Sequence, residues 1–166
     1  MFVLGVDPGL TRCGYGAVRR AGTVLRAEAA GVLTTPKDAP IPERLGELQH
    51  GIRALLAELK PDAVAVERVF FQSNVRTAMS IGQASGVVLA EAVAAGCAVM
   101  EYTPTQVKSA VTGTGSAAKD QVQRMVSALL SLTAPPSHAD VYDALALAIC
   151  HLAAAPLRQR MEVATR

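Results

Sequence analysis

The chain has 166 residues, of which 51% are hydrophobic, and its 16 basic and 14 acidic side chains give a formal net charge of +2. This length suits one domain with a sizeable core and excludes a pair of duplicated nucleotide-binding lobes. The apolar content excludes a largely disordered chain, and the nearly neutral charge says little by itself about nucleic-acid binding.

The first half of the chain predicts three strands, a helix and a fourth strand. Short links between strands at 2–7, 14–19 and 24–33 indicate an antiparallel meander. Leucine and isoleucine then recur at helical spacing between Pro42 and Lys60, with Pro61 beyond the end. This helix should cross over to a fourth strand that ends at Glu67.

The second half predicts helices arranged around one short strand. We expect helices at 75–95, at 104–111 and from Ser116 to Leu132, a strand at 98–102, and a last helix after Pro135-Pro136. This order predicts an α/β fold in which a five-stranded mixed sheet is flanked by helices. We expect one domain at 1–156 and a flexible basic tail at 157–166.

Four acidic residues fall where a folded chain tolerates charge poorly. Asp7 and Glu67 close apolar strands, and the carboxyl ends of neighbouring parallel strands meet at one edge of a sheet. Asp140 and Asp143 are three residues apart, so one face of the last helix can present both. Unpaired carboxylates in apolar surroundings are costly, and divalent cations would offset all four charges. The set therefore predicts a metal site.

Each acid also has a simpler interpretation. Asp7 could belong to a turn before Pro-Gly, and Asp140 to a capping box begun by Ser137. Asp143 could be an ordinary surface charge. Glu67 could form an ion pair with Arg68 or Arg76. A metal site explains all four acids at once, whereas the simpler interpretation needs four separate coincidences.

The three cysteines show no CxxC or zinc-like spacing, so we expect free buried thiols in a reducing compartment. The first residues already read as a strand, so we expect no signal peptide. The apolar stretch 144–156 is interrupted by His151 and is too short to cross a bilayer. The sequence thus predicts a soluble, cytoplasmic protein with no membrane partner.

An ordered series of motifs along nearly the whole chain resembles the RuvC family of bacterial Holliday-junction resolvases, in the ribonuclease H-like superfamily. The motifs are GVDPG at 5–9, GYG at 14–16, VERVF at 66–70, GQASG at 82–86, QVK at 106–108, VTGTGSAAK at 111–119, QV at 121–122, Asp140 and DALA at 143–146. The resemblance implies a ribonuclease H-like fold and a homodimer that cuts four-way DNA junctions symmetrically in recombination and repair. It also implies the branch-migration proteins RuvA and RuvB as partners.

The resemblance assigns the four acids as metal ligands and catalytic residues. An all-carboxylate set suits Mg²⁺ or Mn²⁺, and the lack of a Cys/His cluster argues against zinc. Two ions per site would activate a water and stabilise the departing 3′ oxygen in an in-line attack on a phosphodiester. The acids are Asp7, Glu67, Asp140 and Asp143.

Other residues are candidates for contact with DNA. Lys108 and Lys119 occupy family positions suited to phosphate, and Ser116 reads as the N-cap of a helix whose amides could hold an anion. Phe70 and Phe71, in a polar loop, suggest a wedge that stacks on an unpaired base, with core burial as the alternative. Arg76 could reach the DNA backbone.

Small residues at Gly82 and Gly86 allow close helix approach, and we expect packing within the chain rather than a dimer seam there.

Three other functions are conceivable: an RNA-processing nuclease of the YqgF-like branch, a sugar-kinase or actin-like ATPase, and a non-catalytic nucleic-acid binder. The first usually lacks the Phe70 loop, the second needs another lobe, and the third would repel phosphate with four bare carboxylates.

Overall fold

The computed structural model describes residues 1–68 and 75–164, with the side chains of all of these except residue 76 and residues 156–164. Strands and helices follow the expected order. They are β1 Phe2–Asp7, β2 Arg12–Ala21, β3 Val24–Thr34, α1 Ile41–Leu59, β4 Ala63–Glu67, α2 Val75–Ala94, β5 Ala98–Tyr102, α3 Pro104–Thr112, α4 Lys119–Leu129 and α5 Ala139–Ala164.

The five strands form one mixed sheet in the order β3-β2-β1-β4-β5. The meander of β1, β2 and β3 is antiparallel, whereas β4 pairs in parallel with both β1 and β5. Val6 lies opposite Val66 in the β1–β4 pair, so the next residues, Asp7 and Glu67, end neighbouring strands at the same edge. The predicted α/β fold with a five-stranded mixed sheet is confirmed.

Helices cover both faces of the sheet. Alternate residues of β1 enter different cores, because side chains in a strand point to opposite faces. Val3 packs with α3, α4 and α5, whereas Leu4 and Val6 pack with α1 and α2. The predicted burial of α5 is confirmed, since every residue from Ala144 to Cys150 is at most 3% exposed.

Helix α5 approaches the sheet closely because the strands beneath it carry glycine. A Cβ atom added at Gly5 would overlap the carbonyl oxygen of Ala144 and lie 2.9 Å from the backbone nitrogen of Ala148. A Cβ at Gly14 would lie 2.6 Å from the carbonyl carbon of Asp140. These glycines therefore allow the first turns of α5 to rest against the ends of β1 and β2.

Several predicted boundaries differ from the structure, and the largest differences are at the start of α4 and along the predicted tail. The helix expected to start at Ser116 starts at Lys119, with Ala118 as N-cap and no side-chain cap. The loop before it satisfies its own backbone, because the Thr114 hydroxyl accepts a hydrogen bond from the Ser116 amide at 3.4 Å. Helix α5 continues to Ala164, so the backbone of the predicted tail is largely helical, while the domain boundary at residue 156 stays a prediction.

Helix α2 keeps an apolar surface uncovered. Met79 is 59% exposed and Val93 66% exposed, and a Cβ added at Gly82 or Gly86 would meet nothing within 4 Å. The expectation that these glycines pack within the chain is therefore wrong. By length and composition alone the segment Thr77–Ala94 is long and apolar enough to cross a membrane, but a single helix of this kind is weak evidence for a membrane span.

Candidate active site

The four acids predicted as metal ligands meet at one edge of the sheet. Asp7 ends β1 and Glu67 ends β4, and the glycine-supported approach of α5 brings Asp140 and Asp143 towards them. The pKa of Asp7 is raised to about 7, chiefly by burial and then by the charges of Glu67, Asp143 and Asp140, in that order. The lysine at 119 acts in the opposite direction. The acids are thus close enough to oppose one another's ionisation.

Glu67 shares the same environment. Burial is the main cause that raises its pKa, and the charge of Asp143 adds to it. Within residues 1–68 and 75–155, neither Asp7 nor Glu67 forms an ion pair, so the alternative pairing of Glu67 with Arg68 is not observed. The side chain of Arg76 lies outside the described residues. Two buried carboxylates therefore have no cationic neighbour in direct contact within these ranges.

The two helix acids do have cationic partners. Arg12 Nε lies 3.0 Å from Asp140 Oδ2, and Lys119 Nζ lies 2.9 Å from Asp143 Oδ2. The bond to Asp143 is the main cause that raises the pKa of Lys119. Asp140 thus contacts a guanidinium, and the capping-box interpretation is not needed to explain it.

Sequence reasoning missed Arg12. It opens β2, which runs antiparallel to β1 and pairs Gly14 with Asp7, so Arg12 returns to the same edge as the acids. That tight antiparallel return was the only signal in the sequence, because Arg12 belongs to no metal or phosphate motif.

The donor chemistry fits hard divalent cations. All four groups are carboxylates, which Mg²⁺ and Mn²⁺ prefer, and the four acids carry twice the charge of the two cations beside them. Within the described ranges, no three carboxylate, histidine or cysteine side chains converge at metal-ligand distance. Asp140 and Asp143 are bonded to Arg12 and Lys119 instead, so these ion pairs would have to loosen when ions bind.

Both predicted phosphate-binding lysines line one cavity beside the acids. It has a volume of about 250 Å³ and lies between α3, α4 and α5 at the end of β4. Its polar side chains are those of Glu67, Lys108, Lys119 and Asp143.

Of the remaining predicted DNA contacts, the structure describes only the side chain of Ser116. Ser116 is exposed in the loop before α4, and it does not cap that helix, so the anion seat predicted from its N-cap role is not supported. Phe70 and Phe71 lie outside the described residues, as does the side chain of Arg76. Their roles stay predictions.

Comparisons with known proteins agree with the fold. The family model for crossover junction endodeoxyribonuclease RuvC matches residues 3–151. Crossover junction endodeoxyribonucleases RuvC from Chloroflexus aggregans and Streptomyces avermitilis are 50% and 53% identical, covering 98% and 99% of this chain and 99% and 94% of their own. A solved Thermus thermophilus RuvC in complex with Holliday junction substrate matches with a TM-score of 0.90 and 38% identity, over 95% of this chain and 96% of that one. The chain belongs to the RuvC family of crossover junction endodeoxyribonucleases.

Proposed function

We propose that this chain resolves Holliday junctions by symmetric, metal-dependent hydrolysis of DNA phosphodiesters in recombination and repair. The observation that carries this proposal is the meeting of four carboxylates at one sheet edge, beside a cavity with two lysines. The similarity to the Thermus thermophilus protein bound to junction substrate supports four-way DNA as the substrate. The RNA-processing alternative has no comparable support.

Membership of the family implies dependence on divalent metal. We further propose that two Mg²⁺ or Mn²⁺ ions are held by Asp7, Glu67, Asp140 and Asp143. Bound there, the ions would supply an activated water and charge stabilisation for the departing oxygen. The charges of the other three acids all raise the pKa of Asp7, which supports its place in this set.

The basic side chains have separate tasks in this proposal. Lys119 pairs with Asp143 and lines the cavity that also contains Lys108, so both ammonium groups can hold a phosphate next to the acids. Ser116, Phe70, Phe71 and Arg76 remain proposed DNA contacts. Holding the phosphate in place supplies the orientation that an in-line attack requires.

We also propose a cellular compartment and partner proteins for this chain. Cys13 and Cys97 are free thiols, which supports a reducing, cytoplasmic compartment. RuvA and RuvB are proposed as partners on the strength of the family alone.

The homodimer is proposed to form through α2. Met79, Gly82, Gly86 and Val93 are spaced by three, four and seven residues, so they share one helical face, which is apolar, small and uncovered. A second copy would cover this face, and an isologous pair suits two equivalent cuts on a two-fold junction.

Met79→Glu should convert the dimer to a monomer at micromolar concentration, because it places a charge on the apolar face of the proposed seam. Sedimentation velocity measures the change. Val24→Glu is the matched control, since Val24 is 52% exposed on the edge strand β3, and it should remain dimeric. A dimeric Met79→Glu variant would contradict the role of α2.

The proposed function is tested by offering a synthetic four-way junction, a linear duplex and an RNA–DNA hybrid, each with Mg²⁺ or Mn²⁺. We expect paired, symmetric nicks at the branch point of the junction and negligible cutting of the other two. Chelation of the metal should stop cleavage. Efficient cutting of the hybrid in preference to the junction would sink the proposal and favour RNA processing.

A further inference from the structure

A second cavity adjoins the acids on the side away from Lys108 and Lys119. It has a volume of about 240 Å³ and lies between the β1–β2 turn, the first turn of α1 and the start of α2. Asp140 lines this cavity, whereas Asp143 lines the one with the two lysines. The two acids on one face of α5 therefore have a groove on either side. The second groove is lined by Gly9, Leu10, Thr11, Arg12, Arg44, Thr77, Ser80, Ile81 and Asp140.

Arg44 is held rigidly in this groove by neutral groups. Its Nε donates to Thr35 Oγ1 at 3.0 Å, and its Nη2 donates to Thr11 Oγ1 at 2.8 Å. Thr35 is buried and its hydroxyl donates in turn to the Leu10 carbonyl oxygen, which fixes the position of the acceptor. Within residues 1–68 and 75–155, Arg44 forms no ion pair.

The guanidinium of Arg44 is half-buried and donates to hydroxyl groups. Because no carboxylate of the described residues neutralises it, it can pair with an anionic ligand. Burying that charge without a counter-ion is unfavourable, so an arginine inside a fold is usually paired with a carboxylate. Two N–H groups of a fixed arginine fork match two oxygens of a phosphate. The hydroxyls of Thr11 and Ser80 line the same groove and are further groups of the kind that contact DNA phosphates.

We propose that this groove binds the phosphodiester backbone of the junction strand on the far side of the scissile phosphate, with Arg44 as its principal contact. The inference rests on the proposed function and adds a contact surface to it. Arg12 connects the two regions, because its 58% exposed side chain lines the groove while it contacts Asp140. A strand could then cross the acids with cationic groups on both sides.

The test compares Arg44→Gln with Arg26→Gln in junction binding, measured in chelator over a series of salt concentrations. Both changes remove one positive charge. Arg26, however, is exposed, and it lies opposite Arg19 in the β2–β3 strand register, towards the other end of this pair of strands from Arg12. Arg44→Gln should weaken binding on the order of ten-fold. Its plot of log K against log salt should flatten by about 0.9 for each DNA phosphate that the variant no longer neutralises. Arg26→Gln should change neither quantity appreciably.

A second variant separates DNA binding from folding. Thr11→Val keeps the charge of Arg44 and removes one of its anchors, so it should weaken junction binding less than Arg44→Gln does, with little change in the salt slope. Thermal unfolding of each variant is recorded alongside. If Arg44→Gln matches Arg26→Gln in binding and salt slope, or lowers only the melting temperature, the groove does not bind DNA. Failure of the proposed function has a different signature, because the unmodified chain would then not cut four-way junctions at all.

Discussion

Asp7→Asn should reduce the rate of junction cleavage on the order of a thousand-fold or more while leaving junction binding largely intact. Asp7 ends β1 among the other three acids, and their charges all act on its ionisation. A neutral amide at this position removes a charged oxygen of the proposed metal site. Single-turnover cleavage and equilibrium binding of the same synthetic junction measure the two quantities.

Asp38→Asn is the matched control, because Asp38 is an exposed acid that lines neither of the two cavities beside the four acids. It should cut at the unmodified rate. Undiminished cleavage by Asp7→Asn would refute the assignment of Asp7 as a ligand, whatever the other three acids do.

The same variant has a second expected result, in the metal-free protein. The pKa of Asp7 is raised from 3.8 to about 7 in the folded chain, chiefly by burial, so ionised Asp7 opposes folding. Its contribution to stability is fully present below the unfolded pKa and is lost as the pH rises through about 7. In chelator above that pH, Asp7→Asn should therefore melt at a higher temperature than the unmodified chain. A lower melting temperature would indicate that lost cleavage reflects damage to the fold.

Gly5→Ala should lower the free energy of unfolding by on the order of 3 kcal/mol, because the new Cβ would overlap the backbone of α5. The obstacle is the carbonyl oxygen of Ala144 and the nitrogen of Ala148, which cannot rotate away as a side chain can. Helix α5 would have to move outward, taking Asp140 and Asp143 with it, so cleavage should fall as well. Urea denaturation and junction cleavage measure the two effects.

Gly46→Ala provides the opposite control. Gly46 lies within α1, and a Cβ there would meet nothing within 4 Å. Since alanine is the better helix former, this change should stabilise the chain by about 0.5–1 kcal/mol and leave cleavage unchanged. Equal stability of Gly5→Ala and Gly46→Ala would contradict the close approach of α5.

The sheet and its acidic edge were predictable because they depend on local pattern. β1 and β5 begin and end at the predicted residues, since each is a short apolar run with clear limits. Asp7 and Glu67 follow from strand ends and parallel pairing, which the crossover helix between them indicates. The three-residue spacing of Asp140 and Asp143 placed them in the same set, and the family motifs then assigned all four acids as metal ligands.

Features that depend on tertiary approach were not predictable. The contact between Arg12 and Asp140 exists because α5 rests on Gly14, and no local pattern reports that distance. Ser116 is a residue type that often caps helices. In the structure, however, its amide donates to the Thr114 hydroxyl within the loop, and the helix starts only at Lys119. Gly82 and Gly86 suggest close packing, but only the structure shows that the packing partner is not within the described chain.

The ion pairs of Arg12 and Lys119 also bear on the order in which DNA and metal arrive. Each pair neutralises one carboxylate, so the metal-free edge presents about half the negative charge that its four acids would carry alone. A phosphate approaching this edge meets correspondingly weaker repulsion. Under the proposed mechanism, DNA and metal would therefore not have to bind in one fixed order, and metal binding would free Arg12 and Lys119 to contact the strand.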